Sequence, residues 1–89
     1  MNITLRNIRY TTMKKQVLKR KRHLAELLRQ IRIEAALTQV QVSERIGEPQ
    51  SYVSKYESGE QRLDLIEIEE VCKAVGIDLR TLVERYLES

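Results

Sequence analysis

Residues 38–57 read TQVQVSERIGEPQSYVSKYE, and this stretch decides the fold. Thr38 is suited to begin a helix, and Gln41 three positions later completes a capping box, in which each side chain bonds the backbone N–H of the other residue. Gly47 can adopt the left-handed conformation that often follows the last turn of a helix. The pattern therefore predicts a short helix that begins at Thr38 and ends at Ile46.

A second short helix is predicted after a turn of about three residues. Pro49 has no backbone N–H and a φ fixed at about −65°, and both properties suit the first turn of a helix. The helix then covers Gln50 to about Ser58, and Gly59 closes it. Two short helices joined by a tight turn form a unit whose second helix can enter the major groove of B-DNA. We assign this helix-turn-helix unit to residues 38–58.

Upstream of the unit, the pattern is helical from Met13 to about Ala35, with Thr12 available as the N-cap. The apolar residues recur at spacings of three and four, as they do on one side of a helix. They are Met13, Val17, Leu24, Leu27, Leu28, Ile31 and Ala35. Residues 1–12 alternate weakly between apolar and polar side chains, which predicts a short strand or an N-terminal arm.

Downstream of the unit, two further helices are marked by their caps. Asp64 and Glu67 form a second capping signal, and Gly76 ends the helix that they open. The residues expected to face inward there are Leu65, Ile68, Val71, Cys72 and Val75. Asp78 caps a last helix. The sequence thus predicts one all-α domain of five helices over residues 13–89.

The composition is that of one small domain with an aliphatic core. Among 89 residues there is no Trp and no Phe, so Leu, Ile and Val must fill the interior, and Cys72 is expected there too. His23 is the only histidine and has no nucleophile or carboxylate cluster to act with, so we predict no enzyme activity, no cofactor and no metal site. No apolar run approaches the roughly 18 residues of a membrane span, and no signal peptide is recognisable. We therefore predict a cytoplasmic protein.

The two parts of the chain differ in charge. Residues 1–35 hold ten Lys or Arg and two Glu, a balance of +8, whereas residues 36–89 hold six and eleven, a balance of −5. The densest part of the basic region consists of Lys14, Lys15, Lys19, Arg20, Lys21 and Arg22. Such a patch suits phosphate, anionic lipid or an acidic protein, and charge alone does not choose among them.

The second helix of the unit carries side chains that suit contacts with bases. Val53 and Tyr56 are expected to face inward, which leaves Gln50, Ser51, Ser54 and Lys55 on the polar face. Glutamine can pair with the edge of adenine, lysine with that of guanine, and serine with several partners. An ordinary solvated helix face is the alternative for this pattern.

The motifs of this region resemble those of a known family. They read LTQ at 37–39, VS at 42–43, IG at 46–47 and QSYVSKYESG at 50–59. Together with residues 71–79, they are similar to the Cro/cI-like (XRE) helix-turn-helix proteins. The resemblance runs from about Leu24 to Leu82 and implies a five-helix, lambda-repressor-like fold. This chain has Ala36 where the family often has Gly before LTQ.

The resemblance also implies roles for individual residues. The positions from which family members touch base edges are occupied by Gln50, Ser51 and Lys55. By the same resemblance, phosphate contacts are expected from Gln39, Tyr52, Ser58, Gln61 and Arg62. We add Ser54 from the polar face and, on the evidence of charge alone, Lys14, Lys15 and Arg22 of the basic helix. Gln39 has an argument of its own, because free backbone N–H groups at a helix start attract anions.

A structural ion pair is implied as well. Arg32 and Glu57 match a family pair in which an arginine of the first helix fixes the acid at the end of the DNA-reading helix. We expect this pair to be partly buried, because a fully exposed pair would hold the helix only weakly.

These observations predict a sequence-specific regulator of transcription that binds double-stranded DNA and acts as a repressor. We expect a homodimer on a pseudo-palindromic operator. The candidate dimer surface is on the last helix and consists of Leu82, Val83, Tyr86 and Leu87, although these residues could equally belong to the core. The alternative is an antitoxin of the same fold, which would hold a toxin partner and bind its own promoter.

Overall fold

The computed structural model describes the backbone of residues 2–89 and the side chains of residues 14–89. Within that part the chain forms five helices and no strand, which confirms the predicted fold class. The helices are α1 (Asn2–Glu34), α2 (Gln39–Ile46), α3 (Gln50–Ser58), α4 (Leu65–Val75) and α5 (Leu79–Glu88). Among these described helices, none combines the length and the apolar character that a membrane crossing requires.

The first helix is longer than the sequence pattern predicted. α1 begins at Asn2, so residues 2–12 have helical backbone where a short strand or an arm was predicted. No Gly or Pro interrupts the sequence between Asn2 and Glu34, so nothing in it stops the helix. Met1 and the side chains of residues 2–13 lie outside the described part, and with them the predicted inward position of Met13.

The predicted N-caps of α2, α4 and α5 are present, whereas the prediction of Thr12 as the N-cap of α1 was wrong, because Thr12 lies inside that helix. The Thr38 hydroxyl accepts a hydrogen bond from the Gln41 N–H at 3.1 Å, and the Gln41 side chain accepts one from the Thr38 N–H at 2.8 Å. Asp64 and Glu67 form the same reciprocal pair at 2.7 and 2.9 Å. Gly47 ends α2 with a φ of 71°, a left-handed conformation that glycine adopts without a steric cost. Capping therefore places the ends of the helix-turn-helix unit through contacts between near neighbours in sequence.

The turn between α1 and α2 contains a strained residue. Ala36 has a φ of 57°, in the left-handed region that residues with a Cβ seldom adopt. Its N–H donates to the Ile33 carbonyl at 2.9 Å, and the Leu37 N–H donates to the Arg32 carbonyl at 3.2 Å, so the turn closes the last turn of α1. The family often has Gly at this position, and the structure gives the physical reason for that preference.

The core lies where all five helices meet. Its buried side chains are Leu27, Leu28 and Ile31 of α1, Val42 of α2, Val53 and Tyr56 of α3, Val71, Cys72 and Ala74 of α4, and Leu82 of α5. The core is mainly aliphatic, as the composition predicted. Cys72 is buried within it, and this burial raises the pKa of the thiol to about 11. The thiol is therefore protonated at neutral pH, in keeping with a packing role.

The C-terminal end of the last helix packs against the second half of α1. Arg85 donates two hydrogen bonds to the Glu34 carboxylate, at 2.7 and 2.9 Å, and the hydrogen bond from Arg85 lowers the pKa of Glu34. At the same end of α5, His23 Nε2 lies 2.5 Å from the Ser89 hydroxyl, and its ring lies 5.7 Å from that of Tyr86. These contacts hold α5 against residues 23–34, so the earlier part of α1 extends beyond it.

Candidate nucleic-acid interface

The second helix of the unit, α3, has one buried and one exposed side. Val53 and Tyr56 are buried in the core, and Glu57 is buried beside them. The predicted base-contacting residues Gln50, Ser51 and Lys55 are all exposed, as is Ser54. The structure therefore brings the polar side chains onto one accessible face of a short helix, which is the geometry that major-groove contacts require.

The Arg32–Glu57 ion pair is formed with two-point geometry. Arg32 Nε lies 2.7 Å from one Glu57 carboxylate oxygen, and Nη2 lies 2.9 Å from the other. The third donor, Nη1, bonds the Leu37 carbonyl at 2.9 Å, so the arginine also ties down the turn before α2. The Arg32 and Glu57 side chains are only 12% and 3% exposed, so the pair is more deeply buried than expected. The hydrogen bond to Glu57 raises the pKa of Arg32, while desolvation opposes that rise.

Gln39 connects this pair to the reading face. Its Nε2 donates to a Glu57 carboxylate oxygen at 3.1 Å, and its Oε1 accepts from Gln50 Nε2 at 3.4 Å. The four residues Arg32, Glu57, Gln39 and Gln50 thus form a continuous polar chain from α1 to the start of α3. The sequence predicted the Arg32–Glu57 pair through the family resemblance and Gln50 as a base contact. It did not predict that Gln39 connects them, because Gln39 and Glu57 are 18 positions apart and no local pattern joins them.

Tyr52 is hydrogen-bonded to a residue of α4. Its hydroxyl lies 3.2 Å from Glu67 Oε2, and its ring meets that of Tyr56 edge to face at 5.7 Å. Burial, together with Glu67, raises the pKa of Tyr52 to about 12, so the hydroxyl is protonated and donates to the carboxylate. A DNA phosphate could accept from this hydroxyl only in place of Glu67. The predicted phosphate contact of Tyr52 remains a prediction.

The other predicted phosphate contacts fall into two groups, one at the end of α3 and in the loop that follows it, and the other on α1. In the loop between α3 and α4, Arg62 is exposed and Gln61 is half-buried. At the end of α3, Ser58 is exposed and donates its hydroxyl to the Lys55 carbonyl at 3.0 Å. Lys14, Lys15 and Arg22 are exposed on α1. The two groups meet at a groove. Leu18 and Lys21 of α1 line one side of this groove, and residues 59–63 line the other.

Only part of the predicted dimer surface is accessible. Leu82 is 2% exposed and belongs to the core, so its assignment to an interface was wrong: it points inward against α4 and α1. Tyr86 is half-buried, whereas Val83 is 43% and Leu87 is 73% exposed. Leu65 of α4, expected to face inward, is 63% exposed, and its neighbour Ile66 is exposed as well. Adjacent residues on a helix point about 100° apart, so Leu65 and Ile66 cannot both lie at the centre of the buried side of α4. This spacing was the signal in the sequence that apolar side chains would be exposed here.

These exposed residues form one apolar region on α4 and α5. We name Leu65, Ile66, Val83 and Leu87 the apolar face. Leu65 and Val83 line a groove whose remaining wall is also apolar and consists of Leu24, Ile68, Leu79, Leu82 and Tyr86. Large exposed apolar residues grouped in this way make the apolar face a candidate interaction surface.

Comparison with known proteins agrees with this geometry. A family model described as helix-turn-helix matches residues 28–82. An XRE-family like protein from Pseudomonas syringae pv. tomato str. DC3000 is 36% identical, over 86% of this chain and 94% of that one, with a TM-score of 0.81. The restriction-modification controller protein C.AhdI from Aeromonas hydrophila is 26% identical, over 72% of this chain and 96% of that one, with a TM-score of 0.64.

A third structure shares the fold at lower identity. The controller protein C.Esp1396I, solved as a tetramer in complex with its natural 35 base-pair operator, is 17% identical, over 78% of this chain and 90% of that one, with a TM-score of 0.71. No curated protein sequence matches the chain significantly. The matched model covers more than half of the chain, including α2, α3 and α4. The chain therefore belongs to the XRE-type helix-turn-helix family of DNA-binding regulators of transcription.

Proposed function

We propose that this chain binds specific double-stranded DNA sequences, with α3 in the major groove. The observation that carries the proposal is the exposed polar face of α3, whose first residue is linked through Gln39 to the buried Arg32–Glu57 pair. A side chain that distinguishes bases must be held in one orientation, and this chain of contacts restrains Gln50. Gln50 is suited to the adenine edge and Lys55 to the guanine edge, with Ser51 between them.

Phosphate contacts would fix the register of α3 in the groove. α2 begins at Gln39, and the free backbone N–H groups of a helix start favour an anion. On the other side of α3, we assign phosphate contacts to Ser54, Ser58, Gln61 and Arg62, all of which keep polar atoms at or near the surface. These contacts position the protein on DNA without distinguishing sequences.

We further propose that the chain acts as a homodimer, joined through the apolar face. Two copies related by a twofold axis would cover Leu65, Ile66, Val83 and Leu87 of each protomer, as hydrophobic surfaces in dimers generally are. The dimer would bind a pseudo-palindromic operator with half-sites about one helical turn apart. A dimer bound at a promoter excludes other proteins from that DNA, so we assign repression as its action.

The test combines sequence selection with a measurement of molar mass. Selection from random duplex DNA should recover a pseudo-palindrome, and light scattering should give a dimer on that DNA. Val83→Lys with Leu87→Lys should leave the protein folded, because both side chains are exposed, but should abolish the dimer. Thr81→Lys, also exposed on α5, is the matched control. Binding of all sequences alike by a monomeric protein would refute the proposal.

An antitoxin role would use the same surfaces differently. In that case the apolar face would bind a toxin, and a small protein should co-purify when the chain is expressed with its neighbouring genes. Loss of that protein in the double lysine variant, with the mass of the DNA complex unchanged, would favour the antitoxin. The homodimer is our first choice because one apolar face on each copy is self-complementary under twofold symmetry.

A further inference from the structure

Residues 14–22 of α1, which we name the basic segment, carry a concentrated positive charge. Six of these nine residues are Lys or Arg, none is Asp or Glu, and all nine are exposed. The ion pairs in the described part of the chain, which are Glu26–Arg29, Arg32–Glu57, Glu70–Lys73 and Glu34–Arg85, include none of the six. Like charges one turn apart, such as Lys15 and Lys19, repel each other and weaken the helix. A polyanion would relieve this repulsion.

The position of Leu24 shows where the basic segment leaves the domain. This residue lines both the groove beside the α3–α4 loop and the apolar groove between α4 and α5. The helix before Leu24 therefore emerges between the loop and the apolar face. Leu18 and Lys21 still lie beside that loop. From Leu24 to Lys14 the helix extends about 15 Å further, at 1.5 Å per residue.

This exit point lies at the far end of α3 from the residues that begin the reading face. Gln50 and Gln39 meet at the first turn of α3, whereas the loop at residues 59–63 follows its last turn. The basic segment is thus next to the apolar face and away from Gln50. In a dimer joined through the apolar face, the two basic segments would come together near the twofold axis. They would then lie over the DNA between the half-sites.

We propose that the basic segment binds the phosphates of the DNA between the two half-sites, and that repulsion between the two segments makes dimer formation depend on this DNA. The inference rests on the proposed function, because it needs a dimer on an operator. Duplex DNA presents one charge per roughly 1.7 Å, so 15 Å of it offers about nine negative charges to each segment. Without DNA, two clusters of positive charge would face each other and repel, and salt would screen this repulsion.

The two parts of the proposal predict opposite effects of one variant. Lys14→Gln with Lys15→Gln removes two charges per protomer and retains residues that favour helix. On the selected operator, the salt dependence of log K should fall by roughly three to four, and affinity at 50 mM salt should fall about tenfold or more. Without DNA, the same variant should dimerise several-fold more tightly at 50 mM salt, as sedimentation equilibrium would measure. For the unaltered protein, added salt should strengthen the free dimer and weaken the operator complex.

A control variant and altered DNA separate this proposal from its alternatives. Lys73→Gln with Arg80→Gln removes the same charge from exposed sites on α4 and α5 and should change neither measurement substantially. Replacing phosphates by neutral methylphosphonates between the half-sites should weaken the unaltered protein but have little further effect on the variant. A loss that follows only from replacement outside the half-sites would overturn the proposal, as would a free dimer no tighter in the variant.

Failure of this inference can be told apart from failure of the proposed function. If the unaltered protein selects an operator and binds it as a dimer, while the basic-segment variant matches the control in both measurements, only this inference fails. If no operator is selected at all, the proposed function itself is wrong.

Discussion

The α2–α3 unit and the basic segment of α1 would both contact DNA, but they are built in opposite ways. In the unit, a chain of hydrogen bonds restrains the first residue of the reading face: Gln39 bonds Gln50, Glu57 bonds Gln39, and Arg32 bonds Glu57. In the basic segment, every side chain is exposed, and none of its charges joins an ion pair of the described chain. Restraint suits discrimination between bases, whereas mobile charge suits phosphates of any sequence. The comparison teaches that specificity and affinity are assigned to different parts of one small domain.

The largest expected effect comes from breaking the buried Arg32–Glu57 pair, on which the restraint of Gln50 depends. Glu57→Ala would leave the Arg32 guanidinium buried without its partner, so the free energy of unfolding should fall by about 3 to 5 kcal/mol. Urea denaturation measures this change. Glu60→Ala, at an exposed position close by, should cost less than about 0.5 kcal/mol. A cost below about 1 kcal/mol for Glu57→Ala would show that the pair does not hold α3. The double change of Arg32 and Glu57 to Met should recover part of the loss, because no charge is then left buried.

The next largest effect is on discrimination between base pairs, with no change in the stability of the protein. Gln50→Ala should reduce the preference for one base pair of the operator by roughly 1 to 3 kcal/mol, while urea stability and the salt dependence of binding stay the same. Gln16→Ala, which removes an exposed glutamine from the basic segment, is the matched control and should not change base preference. Competition binding with operators altered one pair at a time gives the measurement. Equal losses on operator and random DNA would contradict a reading role for Gln50.

A smaller effect sharpens the role of Gln39 as a positioning residue. Because Gln39 bonds Gln50, single and double alanine variants should be non-additive in operator affinity, with a coupling of about 0.5 to 1.5 kcal/mol. The 3.4 Å contact between the two amides favours the lower part of that range. A cycle of Gln39 with Lys55 should be additive, since no contact joins them in the described structure. Additivity in the Gln39–Gln50 cycle would mean that each side chain acts on DNA independently.

The smallest effect concerns the turn that connects the two regions. Ala36→Gly should relieve the left-handed strain at this residue and stabilise the protein by about 0.5 to 1 kcal/mol, after the extra entropy of glycine in the unfolded chain is subtracted. Thermal unfolding provides the readout. Ala35→Gly, one residue earlier, has no such strain to relieve and should destabilise or leave stability unchanged. A destabilised Ala36→Gly variant would show that the turn is not strained.

Local patterns in the sequence predicted most of the helix-turn-helix unit. Thr38 with Gln41, and Asp64 with Glu67, form their capping boxes where the spacing placed them, because these contacts join residues three apart. The start of α1 was predicted less well. Weak alternation over residues 1–12 indicated a strand or an arm, yet the structure has helix there. In a short segment without breakers, an alternating pattern is weaker evidence than the absence of Gly and Pro.

Apolar periodicity alone could not separate the core from the surface at the ends of helices. The last helix has five apolar residues, and the structure buries Leu82 while it leaves Val83 and Leu87 exposed. Which of them faces inward depends on how α5 rotates against the other helices, and this rotation is shown by the packing of Leu82 into a core formed by residues far away in the sequence, such as Leu28 and Val71. The exposed Leu65 and Ile66 became part of the same apolar face for the same reason.

The sequence by itself determined where the short helices begin and end, which side of α3 is polar, and where the positive charge lies. These features depend on residue types and on neighbours within about one turn of helix. Only the tertiary structure decided that Gln39 joins Arg32 and Glu57 to Gln50, that Leu82 is core, and that the basic segment leaves the domain beside the apolar face. Those outcomes depend on packing between residues far apart in the chain, and no local pattern encodes the orientation of one helix against another.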